Sequence, residues 1–160
     1  VGTDAGILSF PGQPAFNYEL SAEDLNVTGG GSVYTLGDGN ALTEHFDQSG
    51  EVTTGGVFTP TVGGIYLLGC QLVFNNVSAG SLMDNFALRI VTTGDTESHF
   101  GNLLNNAAST SFLGVGSIGF VALFEMAASE TAKVTLQVWD ATDVLDIEAG
   151  NTRFFGYKVA

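Results

Sequence analysis

An all-β sandwich is the fold class this sequence predicts, and three observations carry the prediction. Glycine supplies 22 of 160 residues while Lys and Arg together supply four, so turn formers are plentiful and several strong helix formers are scarce. Apolar blocks of strand length recur along the chain, separated by Gly, Asn, Asp and Pro clusters. Hydrophobic residues make up 44% of the chain and charged residues 13%, about half the usual charged share, which is enough apolar surface for one complete core.

The elements follow in order. Residues 1–14 carry Pro11 and Pro14 and a small apolar cluster, Ile7, Leu8 and Phe10, and read as an extended arm. Residues 15–160 read as a single domain. Ala15–Leu20 is the first strand, residues 21–32 a Gly-rich loop, and Val33–Leu36 a second strand closed by the Gly-Asp-Gly-Asn turn at 37–40. Residues 41–54 are polar and end in a strand ahead of Gly55. Two apolar runs within Val57–Val77 flank a Pro-Thr-Val-Gly-Gly turn, a strand, turn, strand pattern. The second run sets Tyr66, Leu68, Cys70, Leu72 and Phe74 on one face and Ile65, Leu67 and Val73 on the other. A strand apolar on both faces is covered on both, by the core or by another subunit. Phe86–Val91 alternates Leu88 and Ile90 against Arg89, then residues 92–97 form a turn and 98–110 a polar loop. Ile118–Phe124 is a strand, and the next, Lys133–Asp140, puts Val134, Leu136 and Val138 on one face. Residues 140–150 form a loop, and Thr152–Val159 closes the chain. Eight to ten short strands at this spacing describe a jelly-roll β-sandwich.

Charge and composition exclude whole classes of function. With 17 acidic residues and only Arg89, Lys133, Arg153 and Lys158 to oppose them, the formal net charge is −13. Such a field repels nucleic-acid phosphates and anionic membrane surfaces alike. No apolar run approaches the length of a membrane span, and no basic stretch followed by an apolar one marks a signal peptide. A lone cysteine, Cys70, excludes an intrachain disulfide and a multi-cysteine metal site. It falls on the apolar face of its strand, where a thiol is packing. His45 and His99 have no nucleophile and orienting acid in a recognisable arrangement, so no enzyme is expected. Gly114, Gly116 and Gly119 match G-x-G-x-x-G but lead into a strand, which is the wrong setting for a dinucleotide site. Asp140, Asp143 and Asp146 crowd one loop with Glu148 and are the candidate ligands for Ca²⁺, without EF-hand spacing; no other cofactor is expected. Trp139, Phe100, Phe154, Phe155 and Tyr157 are candidates for a sugar-binding shelf, or else for core and subunit contacts. Asn26-Val27-Thr28 and Asn76-Val77-Ser78 are glycosylation sequons.

Phe46 followed by Gly56-Val57-Phe58-Thr59-Pro60 and Gly63-Gly64-Ile65-Tyr66 resembles the central signature of C1q-like domains, within the wider tumour-necrosis-factor-like jelly-roll class. Pro14–Leu20 sits where that family's first strand carries an Ala-Phe pair, and Phe154–Val159 looks like its terminal aromatic-Gly-aromatic strand. The resemblance implies a homotrimer whose inner sheets meet around a threefold axis, and Ile65, Leu67, Val73, Phe154 and Tyr157 are the residues expected at that interface. Combined with the arm and the acidic surface, the expected function is a non-enzymatic virion protein. It would be a trimeric decoration (cement) protein on a bacteriophage capsid, with the major capsid protein as partner and Ile7, Leu8 and Phe10 lying across capsid subunits. The alternative is a receptor- or glycan-binding C1q-like head of a tail fibre or a secreted lectin-like protein, using loops 98–110 and 140–150.

Overall fold

The computed structural model describes residues 13–27, 29–75, 86–101, 116–139 and 145–160. These form ten strands: β1 Ala15–Leu20, β2 Val33–Thr35, β3 Leu42–Asp47, β4 Gly64–Asn75, β5 Phe86–Thr92, β6 Thr96–Gly101, β7 Gly116–Met126, β8 Ala132–Val138, β9 Asp146–Ile147 and β10 Arg153–Lys158. One sheet runs in the order β3-β1-β10-β4-β7, with β9 pairing to the end of β4, and the other runs β2-β8-β5-β6. Every pairing is antiparallel. The chain passes repeatedly from one sheet to the other, which is the jelly-roll sandwich the sequence predicts. Among the described residues there is no helix, and so none long and apolar enough to cross a membrane.

Burial follows the alternation. On β4, Tyr66, Leu68, Cys70, Leu72 and Phe74 all point into the core, and Val134, Leu136 and Val138 on β8 and Leu88 and Ile90 on β5 meet them from the second sheet. An aromatic cluster ties the middle together: Phe16 stacks on Phe58 at 4.7 Å and meets Phe154 edge-on at 5.0 Å, while Phe58 meets Tyr66 at 5.3 Å.

Four local expectations are corrected. The strand in residues 41–54 lies earlier, at Leu42–Asp47, and most of its side chains stay in water because β3 is the outermost strand of its sheet. Val57 and Phe58 do not form a strand of their own. Phe58 instead makes single bridges to Val52 and Ala132 and drops its ring into the core. Residues 98–101 belong to β6, which continues a tight turn closed by the Thr92 N–H bond to Asp95 O. As an edge strand β6 carries no apolar alternation to announce it. Asp146 and Ile147, expected in a loop, are both buried and pair with Asn75 and Phe74 at the end of β4.

Phe154 is fully buried, so Phe154→Ala is expected to cost about 3–5 kcal/mol of stability, read from the urea midpoint at fixed protein concentration. Burial also pushes the Cys70 thiol up, from an ordinary 9.0 to about 12. That shift cuts the thiolate fraction near neutral pH roughly a thousandfold, so Cys70 should stay unmodified by a thiol reagent in the folded protein and react at once in urea. Burial raises the Tyr18 and Tyr34 hydroxyls in the same direction, helped by the carboxylates of Asp47 and Glu44 beside Tyr18 and of Asp24 beside Tyr34. All three groups release protons from the unfolded chain first. Stability is therefore expected to hold below the ordinary thiol value and to fall as pH climbs above it, which urea titrations across that range will read.

Candidate functional site

The same alternation that fills the core leaves a second face on the larger sheet. Its outward positions fall into rows that cross the strands. One row runs Phe46, Asn17, Phe155, Gly69, Val121 across β3, β1, β10, β4 and β7. Next to it lies Ala15, Tyr157, Leu67, Leu123, and on the other side Glu19, Arg153, Gln71, Gly119. Asn17 apart, the first two rows are apolar, and several of their side chains are open to solvent: Phe46 is 47% exposed, Tyr157 46%, Val121 55% and Leu123 60%, with Ile65 beside them at 41%. The third row is polar and self-neutralising. Glu19 accepts from Arg153 at 3.0 Å and sits 3.0 Å from His45 Nε2. Among the outward positions of β1, β4, β7 and β10, Glu125 is the one other charge.

Two glycines shape this face. A Cβ on Gly69 would lie 2.5 Å from the Phe155 ring and 2.7 Å from Val121, so the bare backbone lets the Phe155 ring rest flat across β4. A Cβ on Gly119 would lie 2.5 Å from the Cys70 carbonyl oxygen, so β7 can hug β4 only with glycine there. Two hollows result. One, of about 320 Å³, lies beside Gly119 and Phe155. The other, of about 410 Å³, is a cup walled by Phe46, Phe155, Tyr157 and Arg153. Asn17 lines this cup, and its Oδ1 is a buried acceptor without a hydrogen-bond partner.

The residues expected at a subunit interface divide accordingly. Ile65, Leu67 and Tyr157 lie on this face. Phe154 does not: it is three residues from Tyr157 and so points the opposite way, into the protomer's own core. Val73 has the right parity but is buried within the protomer, where the Thr152 hydroxyl accepts from its N–H at 2.9 Å and Glu148 N–H donates to its carbonyl at 2.8 Å. Phe46, Asn17, Val121 and Leu123 belong to the face and were not singled out as interface positions from the sequence; Phe155, a candidate there for a sugar shelf or for core and subunit contacts, lies on the face too. The continuous run Phe120–Phe124 is apolar throughout, so its pattern does not say which members point outward.

The remaining candidates have other places. Asp146 is buried and accepts from the Asn26 N–H at 2.7 Å, so its carboxylate is engaged inside the fold. Asp140 and Asp143 lie outside the described residues, as do Ile7, Leu8 and Phe10. Among the described residues no group of three or more His, Cys, Asp or Glu side chains is disposed to hold a metal ion. His45 is on the outer face beside Glu19, while Cys70 is in the core, so these two cannot work as a nucleophile and base. Gly116 and Gly119 are within β7, with no helix behind them to receive a phosphate. Trp139 is partly exposed at the end of β8 with the Arg89 guanidinium 5.6 Å from its ring centre, on the other sheet from Phe155 and Tyr157. The aromatic residues therefore do not form one shelf.

Neither a protein-family model nor a curated protein sequence matches this chain. Solved structures do match it in shape. A crystal structure of murine APRIL at pH 8.0 superposes with a TM-score of 0.59 at 13% identity, covering 92% of this chain and 99% of that one. The globular domain of zebrafish complement 1qA protein gives 0.59 at 13% identity, covering 92% and 98%. The Eiger TNF from S. frugiperda gives 0.59 at 16% identity, covering 92% and 93%. The fold of this chain is the C1q/tumour-necrosis-factor-like jelly roll.

Proposed function

We propose that this chain is a non-enzymatic module that assembles as a homotrimer through the outward face of its larger sheet and acts by binding other proteins as a structural component. The observation that carries this reading is the near-neutral apolar face itself. In a chain with 17 acidic and four basic residues, two adjacent rows of exposed aromatic and aliphatic side chains are an exception that water does not favour. Covering them with copies of the same chain removes that cost, and the likeness in fold to C1q and tumour-necrosis-factor domains supports this mode of assembly.

Its finer assignment is a decoration (cement) protein on the exterior of a bacteriophage capsid, with the major capsid protein as partner. The net charge of −13 supports this, since it keeps an abundant exterior protein soluble and away from packaged nucleic acid. The apolar cluster Ile7, Leu8 and Phe10 supplies the attachment segment.

Light scattering is expected to return three times the 16.6 kDa protomer mass, and Leu123→Asp is expected to return the single protomer mass with the fold intact by circular dichroism. A wild-type monomer at working concentration would remove the assembly reading. Electron microscopy of virions is expected to show threefold density on capsid faces that disappears when residues 1–12 are deleted. Density at the tail tip instead would assign the chain to a receptor-binding head, and attachment that survives the deletion would remove the role of the arm.

A further inference from the structure

The smaller sheet has an outward face of its own, and its charge is opposite in sign to that of the chain. The outward positions of β2, β5 and β8 include Arg89 and Lys133, two of the four basic residues, and no carboxylate, in a chain with 17 acidic residues. Trp139 follows the end of β8 on the same face and is 42% exposed. Arg89 Nη1 donates to Gln137 Oε1 at 3.0 Å, and Gln137 is the register partner of Ala87. The Arg89 side chain therefore leans along β5 past Ala87, which brings its guanidinium 5.6 Å from the centre of the Trp139 ring. Gln137 is fixed in turn by donating from Nε2 to the Gly31 carbonyl at 2.8 Å. Lys133 lies six residues back along β8, about 20 Å from Trp139; it is exposed and has no ion pair among the described residues.

We propose that this face binds a linear, carboxylate-bearing oligosaccharide, an oligouronate, laid along β8 with one sugar ring on the Trp139 indole and carboxylates received by Arg89 and Lys133. The ligand class follows from what the face offers. β5 and β8 are the central strands of their sheet and are paired on both sides, so a ligand meets side chains, and a peptide has no free edge to join as a strand. A broad indole presents a flat apolar surface of the kind that the C–H face of a pyranose ring can cover. The planar guanidinium, already held in place, suits a carboxylate. Two cations match a ligand of few charges, whereas a nucleic acid needs a cation for each of many phosphates. Salt at physiological strength screens charges beyond about 8 Å, so at contact range these cations act ahead of carboxylates on distant loops. The site is built within one chain, on the sheet opposite the proposed assembly face, and does not depend on the homotrimer reading.

Trp139 is the chain's single tryptophan, so its fluorescence reports the site directly. Titrating the full chain with tetragalacturonate is expected to give a saturable change in emission that weakens as salt is added. The neutral methyl ester of the same tetrasaccharide is expected to bind roughly tenfold more weakly or worse, and so is tetragalacturonate to Lys133→Glu, an exposed substitution that should leave the circular dichroism unchanged. Trp139→Ala, followed by calorimetry, should release no binding heat. A wild-type chain that shows neither a fluorescence change nor heat overturns the proposal, as does a neutral ester or a Lys133→Glu variant that binds as tightly as the wild-type pair. A glutamate peptide of equal charge that binds as well as the uronate also overturns it, and would assign the face to acidic peptides. Leu123→Asp lies on the other sheet and should bind the uronate like wild type, whatever its oligomeric state, so failure of the assembly reading and failure of this one are read separately.

Discussion

Along β4, Tyr66, Leu68, Cys70, Leu72 and Phe74 leave water for the space between the sheets, and a strand cannot bury one side without turning the intervening residues to the other. That burial therefore dictates where Ile65, Leu67, Gly69 and Gln71 point. Its partners inherit the constraint through register. Phe154 is opposite Cys70 and goes inward, so Phe155 and Tyr157 go outward. Phe124 is opposite Tyr66 and goes inward, so Val121 and Leu123 go outward. The core and the outward face are two consequences of one pairing pattern.

Acidic side chains are accommodated by a different route. The chain has too few cations to pair them, so the carboxylates that enter the fold are held by neutral donors. Asp24 accepts from the Tyr34 hydroxyl at 2.6 Å and from Asn40 Nδ2 at 2.7 Å, and Glu51 from the Thr61 N–H at 2.6 Å. Each binds a loop to the sandwich from its rim, where the hydrogen bonds replace lost hydration. The outward face of the larger sheet carries one internal ion pair and little else that is charged, which keeps the repulsion of a −13 chain away from the surface where copies would meet.

The strands with regular alternation were legible in advance. The first strand at Ala15–Leu20, the core faces of β4 and β8, and the inward Leu88 and Ile90 follow from period two alone. Edge strands were not, because among the described residues β3 and β6 have neighbours on one side only and need no apolar row to be stable where they are. At the candidate site, Ile65, Leu67 and Tyr157 were legible from parity within their own strands. Phe154 was misplaced because an aromatic motif was read as a unit, although its members alternate sides. Val73 was misplaced because the segment that covers it arrives from residues 148–152, far along the chain.

The sequence by itself determined that this chain is a β-sandwich with one core, a strongly acidic surface and an inert cysteine, since composition and period-two alternation are local properties that act before any long-range pairing. Only the tertiary structure decided which outward residues share a row. Asn17, Phe155, Gly69 and Val121 come from four separate strands and become neighbours through the β1-β10-β4-β7 order and its register, and those are set by how the whole core packs.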